Sequence, residues 1–220
     1  MVLLLCWVFH VRIDFRSLFR RGFHIKRGLY GTYCFNAPQG KGKTMALAYY
    51  CFRHNKKLNV FSNVIINNLE EFTYFESFDY IYKIVEDLDN GLISRDKQIV
   101  IIWDELFSLL GRSSKLNRQI ISILSQMRKR KIIFLTTCQD WSSIPIDFRR
   151  LCRFCIDTKS LNLITSGYFI NVYKDAERMK WDDKEQDFVA PIVWTKIYKA
   201  NKVVANSYDT NQTIKATNTF

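Results

Sequence analysis

Apolar residues in this chain gather into short unbroken runs separated by polar turns, a pattern that suits strands buried on both faces of a parallel sheet. Ile99 to Trp103 is one such run and Ile132 to Thr137 is another. Tyr30 to Asn36, rich in aromatic and β-branched residues, and Asn59 to Phe61 read as two further strands. Met45 to Arg53 contains neither Gly nor Pro and reads as a helix. Asn67 to Asn90 contains a helix rich in Phe and Tyr, whose rings are better explained by packing on a sheet than by base stacking. Between Gly111 and Phe134, Ile120, Ile121, Leu124 and Met127 form an apolar helical stripe, with Ser113 and Ser114 as candidate caps. Farther on, Tyr168 to Tyr173 and Ile192 to Tyr198 predict an added β-pair, and the charge-dense stretch Asp175 to Asp187 between them predicts a solvated turn or short helix. The fold class is therefore α/β, with a mostly parallel sheet flanked by helices and a small C-terminal β addition.

The chemistry sits where two of these strands end. Asn36 to Thr44 reads Asn-Ala-Pro-Gln-Gly-Lys-Gly-Lys-Thr, between a predicted strand and a predicted helix. A polyphosphate has to be wrapped by backbone N–H groups, and Gly40 and Gly42 let the main chain come that close. Ala37, Pro38, Gln39, Gly40, Lys41, Gly42, Lys43 and Thr44 are accordingly the candidate nucleotide loop. Lys43 is placed to reach the β and γ phosphates and the Thr44 hydroxyl to join a magnesium shell, while the helix aims its positive end at the anion. Such loops usually open with Gly; here Ala37 stands there, followed by Pro38, which has no N–H to donate. The second carrier is Asp104-Glu105 at the end of the Ile99 to Trp103 run, where open α/β sheets bind their ligands. Asp104 is assigned to the magnesium shell and Glu105 to the attacking water, as general base or water-positioning group. Together these residues predict ATP and Mg2+ as the cofactors.

Two later features extend the site. Gln139, just past the Ile132 to Thr137 strand, is a candidate γ-phosphate sensor. Arg149 and Arg150, beyond the turn at Ile144 to Asp147, are candidates to act on a neighbouring subunit's phosphate, with surface ion pairing as the alternative for each.

Composition narrows the partners. At 220 residues the chain fits one α/β domain with a substantial core, and 48% hydrophobic and 15% aromatic residues exclude a disordered chain. A formal charge of +12 points to a polyanionic partner. Between Gly111 and Phe134 stand Arg112, Lys115, Arg118, Arg128, Lys129, Arg130 and Lys131 with no acid, a pattern that fits nucleic-acid contact, phosphate sensing or a membrane surface. The apolar run Met1 to Phe9 is about half of the ~20 residues a spanning helix needs and makes a poor signal peptide, so it predicts a buried strand or short helix. Arg12, Arg16, Arg20 and Arg21 beside it leave peripheral membrane contact open. Cys6, Cys34, Cys51, Cys138, Cys152 and Cys155 fall mainly in apolar runs, as small core residues of a reducing compartment do. Cys152 and Cys155 have metal-like spacing, but no second Cys/His pair completes four ligands, so no zinc is expected.

The order of the phosphate loop, Ser62-Asn63 after the second strand, Trp103-Asp104-Glu105, Met127-Arg128-Lys129, Thr137-Cys138-Gln139 and the Pro145 to Leu151 stretch resembles the FtsK/HerA superfamily of P-loop ATPases. Within it the chain is similar to the genome-packaging ATPases of tailless icosahedral viruses and to the filamentous-phage assembly ATPases of the zonular occludens toxin family. The resemblance covers about residues 28 to 158 and departs from the pattern at Ala37, and at Lys129, where the filamentous-phage family often has His. It implies a RecA-like sheet with the sensor strand between the phosphate-loop and carboxylate strands. It also implies a homo-oligomeric ring, with a hexamer favoured, that holds ATP at subunit interfaces and moves double-stranded DNA. The organisation expected is a basic N-terminal extension (1–27), an ATPase core (28–158), a β-rich addition (159–199) and a polar tail (200–220). The filamentous-phage ATPases usually continue into a transmembrane helix, and no such stretch stands in this sequence. A cytoplasmic or virion-associated motor for genome packaging or virion assembly is therefore expected rather than an integral membrane protein. The alternative is an assembly or extrusion ATPase coupled to a capsid, protein or membrane partner that does not itself pump DNA.

Overall fold

The computed structural model describes residues 29–106, 118–160, 167–199 and 202–208. In chain order these form β1 (Gly31–Asn36), α1 (Lys43–His54), β2 (Leu58–Ser62), β3 (Phe72–Tyr74), α2 (Asp79–Asp89), β4 (Gln98–Trp103), α3 (Arg118–Ser125), β5 (Ile133–Cys138), α4 (Ile146–Leu151), β6 (Cys152–Ser160), β7 (Tyr168–Asp175), β8 (Lys180–Asp182), β9 (Asp187–Val189), β10 (Ile192–Lys199) and α5 (Lys202–Ala205). The candidate caps Ser113 and Ser114, the run Met1 to Phe9 and the basic extension to residue 27 lie outside the described residues.

One sheet of eight strands runs β10-β7-β6-β1-β5-β4-β2-β3. From β6 to β3 every neighbouring pair is parallel, and β7 and β10 add antiparallel strands at the β6 edge. β5 lies between β1 and β4, as the resemblance implied. The fold is thus the mostly parallel α/β sheet of RecA-like P-loop ATPases. Burial on both faces explains the unbroken apolar runs. Ile99, Ile101 and Trp103 of β4 face a core built with Ile81, Ile84 and Leu88 of α2 and Ile120 and Leu124 of α3. Val100 and Ile102 face the other way, into a core with Leu47, Ala48 and Cys51 of α1. Trp103 is fully buried among Phe75 and Phe78, with ring centroids 5.9 and 5.5 Å away, so it ties the end of β4 to the start of α2. In α2 the buried positions Ile81, Ile84, Val85 and Leu88 repeat with helical period, which gives one apolar face to the sheet.

The C-terminal part differs from expectation in three ways. The added pair of strands is present as β7 and β10, which pair antiparallel, but it continues the main sheet through β6, so the expected boundary at 158 falls inside a strand. Asp175 to Asp187 is not a solvated turn or short helix alone: a 3-10 turn at Ala176–Arg178 leads into the β8–β9 hairpin. There Trp181 faces Phe188 across the pair with centroids 5.2 Å apart, and such aromatic cross-strand pairs stabilise a ribbon that charge density alone would leave open. The segment from residue 200, expected as a polar tail, contributes α5, whose Val204 is buried; the Asn67 N–H bonds the Ser207 carbonyl at 2.7 Å, and Ile66 bridges to Tyr208. β3 was not anticipated.

At the C-terminal end of α1, His54 packs on the Tyr50 ring, and burial, with Lys196, Arg53 and Lys57 nearby, lowers its pKa to about 4. The unfolded chain then binds more protons than the folded one between that value and the free imidazole pKa of about 6.5, so stability must fall as pH falls through this window. Thermal unfolding followed from pH 7 to pH 4.5 is expected to show a falling midpoint, and His54→Gln should flatten that part of the profile.

Candidate nucleotide-binding site

β1 ends at Asn36, level with Cys138 of β5 and Asp157 of β6, and the chain then turns over the sheet edge into α1. Within the loop the Ala37 N–H bonds the Cys138 carbonyl at 3.2 Å, and the Lys41 N–H bonds the Pro38 carbonyl at 3.3 Å. The N–H that Pro38 lacks is thus not one that closes this curl. Gly42 has φ 89°, a left-handed backbone, and any Cβ there would collide with the Phe169 ring. Phe169 belongs to β7 and stacks on Tyr198, which stacks on Tyr49 of α1 at 3.9 Å, so the C-terminal strands support the loop from behind. α1 begins at Lys43 and has no acid in its first turn, which leaves its positive end free to act on an anion. The Lys43 ammonium donates to the Ala37 and Pro38 carbonyls at 2.7 and 3.1 Å, inside the curl. Burial lowers its pKa, partly offset by Asp104.

Asp104 is 5% exposed, and a carboxylate so buried has to be hydrogen-bonded. Its Oδ2 accepts from the Thr44 hydroxyl at 2.8 Å and its Oδ1 from the Thr137 hydroxyl at 2.5 Å. Its own N–H and carbonyl are both held by the Asn63 side chain, at 2.7 and 3.2 Å. Thr137 in turn accepts from the Glu105 N–H at 2.9 Å. Glu105 has φ 59° and is exposed, whereas its neighbours Asp104 and Leu106 are buried. The uncommon backbone turns the carboxylate out of the strand end while Asp104 stays in it. Thr44 and Asp104 are hard oxygen donors side by side, and this donor set fits a magnesium ion. Among the described residues no group of three or more His, Cys, Asp or Glu side chains could hold a metal by itself.

The other predicted residues are placed less closely. Gln139 follows β5 directly and is exposed at the same sheet edge. Arg149 lies on α4 with its guanidinium 4.5 Å from the Phe188 ring of the β8–β9 hairpin, and Arg150 beside it is exposed. Cys34, Cys51, Cys138, Cys152 and Cys155 are buried free thiols, and the Cys34 sulfur lies 3.3 Å from that of Cys138.

Sequence reasoning passed over Thr137 and Asn63 as site residues, although both stand in motifs that carried the resemblance. It gave no sign of Asp157, which accepts from Asn36 Nδ2 at 3.2 Å and pairs with Lys174 at 2.6 Å. Burial alone would lower the Lys174 pKa, and the Asp157 carboxylate reverses this, so the net shift is upward. These residues floor a cleft of about 450 Å³ beside the loop, walled by Pro38, Lys41, Trp141 and Phe188.

No family profile and no curated protein matches the chain. Solved structures do match in fold. The N-terminal domain of zonular occludens toxin from Neisseria meningitidis aligns at 15% identity and TM-score 0.51, covering 82% of this chain and 100% of that one. The genome packaging NTPase B204 from Sulfolobus turreted icosahedral virus 2, in complex with ATP-gammaS, aligns at 12% identity and TM-score 0.50, covering 77% of this chain and 97% of that one. Both likenesses agree with the fold that the motifs implied, the α/β sheet of P-loop NTPases.

Thr137→Val should remove the hydroxyl shared by Asp104 and Glu105 and keep the volume. ATP hydrolysis is expected to fall about 10- to 100-fold, the usual effect of losing a group that orients a ligand from behind, while binding of a fluorescent ATP analogue changes little. Unchanged turnover would show that the hydroxyl does not set the geometry.

Proposed function

We propose that this chain hydrolyses ATP and uses the energy to move DNA, in viral genome packaging or virion assembly. The observation that carries the reading is the Thr44–Asp104–Thr137 hydrogen-bond chain beneath the Gly40 to Lys43 curl, with Glu105 turned outward beside it. In this reading the loop amides and Lys43 bind the β and γ phosphates, and Thr44 and Asp104 hold Mg2+, which when bound neutralises phosphate charge. Glu105 orients or deprotonates the attacking water. Gln139 reads the γ-phosphate, and Arg149 or Arg150 acts across a subunit boundary in a ring, most simply a hexamer. The likeness to a genome packaging NTPase in complex with ATP-gammaS supports the packaging task, as do the net charge of +12 and the basic run at Arg128 to Lys131. No described helix is long and apolar enough to cross a membrane; in this reading the motor works in the cytoplasm or on the virion.

The zonular occludens toxin likeness favours a second reading, an assembly or extrusion ATPase coupled to a capsid, protein or membrane partner. Steady-state hydrolysis with and without double-stranded DNA separates the two. Strong stimulation is expected for a translocating motor, and hydrolysis indifferent to DNA would sink that reading in favour of the second.

The catalytic assignments have their own test. Glu105→Gln should keep ATP bound and lower turnover by about 10²-fold or more, the scale of losing a general base. Lys43→Ala should abolish productive nucleotide binding. A Glu105→Gln protein that turns over ATP at the normal rate would remove Glu105 from the mechanism.

A further inference from the structure

The strands β1, β2, β4 and β5 begin at the sheet edge opposite the phosphate loop, and there the surface forms a groove of about 480 Å³. Its cations come from three separate connections. Lys56 and Lys57 belong to the turn entering β2, Arg95 and Lys97 to the turn entering β4, and Arg130 and Lys131 to the turn entering β5. Among the described residues Asp96 is the one acid that lines the groove with them.

Some of this charge is already partnered. Arg130 makes a two-pronged contact with Asp89, Arg95 lies 3.8 Å from the same carboxylate, and Lys97 pairs with Glu71 at 2.8 Å. Lys56, Lys57 and Lys131 are exposed and make no ion pair among the described residues. Nor is the backbone of the turn entering β5 loose. Gln98 Nε2 donates to the Lys131 carbonyl at 2.7 Å, Arg95 donates to the Arg130 carbonyl at 3.2 Å, and Lys131 has φ 59°. A turn held this way presents like charges together at the cost of their mutual repulsion, which an anion spanning them would relieve.

We propose that this groove takes the phosphodiester backbone of a nucleic acid, on the side of the sheet away from the ATP site; the proposal rests on the DNA-moving reading above. Evenly repeated phosphates suit cations gathered from three turns. A lipid surface suits the groove less well, because interfacial binding pairs basic residues with inserted apolar ones, and among the described residues none of the exposed large apolar side chains lines it.

The test compares the purified full chain with the Lys56→Gln, Lys57→Gln, Lys131→Gln triple variant, using anisotropy of a labelled random-sequence duplex across a salt series. ATP hydrolysis without DNA should be unchanged, which checks the fold. The variant should bind at least about tenfold more weakly near physiological salt, and its slope of log affinity against log salt should shrink by about 2 to 3, roughly 0.9 for each lost phosphate contact. If the triple variant does not fold, the three single variants should each shrink the slope by about 0.9. Equal affinity and slope in wild type and variant would overturn the placement and leave the DNA-moving reading standing. A wild-type chain that binds no duplex would overturn both. Loss of sedimentation with phosphatidylserine vesicles while duplex binding is unchanged would make the groove a lipid site and overturn the proposal.

Discussion

A carboxylate that leaves water must recover its lost hydration from fixed donors, and Asp104 recovers it from two hydroxyls on two different elements. Thr44 reaches it from the first turn of α1 and Thr137 from β5, so the bond pair exists only while β1, β5 and β4 lie side by side in that order. The strand order is therefore a condition of the chemistry as well as a description of the fold. Losing the Thr44 hydroxyl would leave Oδ2 short of a partner, a larger penalty than the net worth of the bond itself, whereas Oδ1 would keep the Glu105 N–H at 3.2 Å if the Thr137 hydroxyl were lost. Asn63 extends the same constraint to β2, because its side chain clamps both backbone groups of Asp104.

The two faces of the sheet explain why the site is stiff. β4 sends Ile99, Ile101 and Trp103 to one core and Val100 and Ile102 to the other, so the strand cannot shift toward either helix layer without opening a cavity. Stiffness stops at the last strand residue. One position past Asp104 the backbone takes a left-handed turn at Glu105, and the side chain meets solvent. A buried, fixed carboxylate thus stands next to an exposed one, and it is their environments, not their residue types, that set the two apart.

Most of the parallel sheet was legible because its strands are apolar on both faces and its loops carry chemistry that few other structures need. The loop from Ala37 to Thr44 and the pair Asp104 and Glu105 could be named as candidates because each stands at the end of a readable strand and the two occur together; a polar pair ending a buried run, taken alone, is more often just solvated. β3 escaped notice since Phe72 and Thr73 are only half-buried and Tyr74 is exposed, so no periodicity marks them. The β8–β9 hairpin hid behind its charges; its cohesion comes from Trp181 meeting Phe188, a pairing visible only once the turn is formed. Asp157 was invisible for a related reason. Its partners Asn36 and Lys174 are brought to it by strand pairing, and nothing in local spacing links them.

Phe169 gives the antiparallel edge a role that a simple appendage would not have. Its ring occupies the space that a side chain at position 42 would need, and it is held there by Tyr198, which reaches on to Tyr49 of α1. A fragment cut at residue 158, where the resemblance ends, would lose β7 and β10 and with them the wall behind the loop. The smallest unit able to keep this loop in shape is longer than its motifs, and it extends at least to β10.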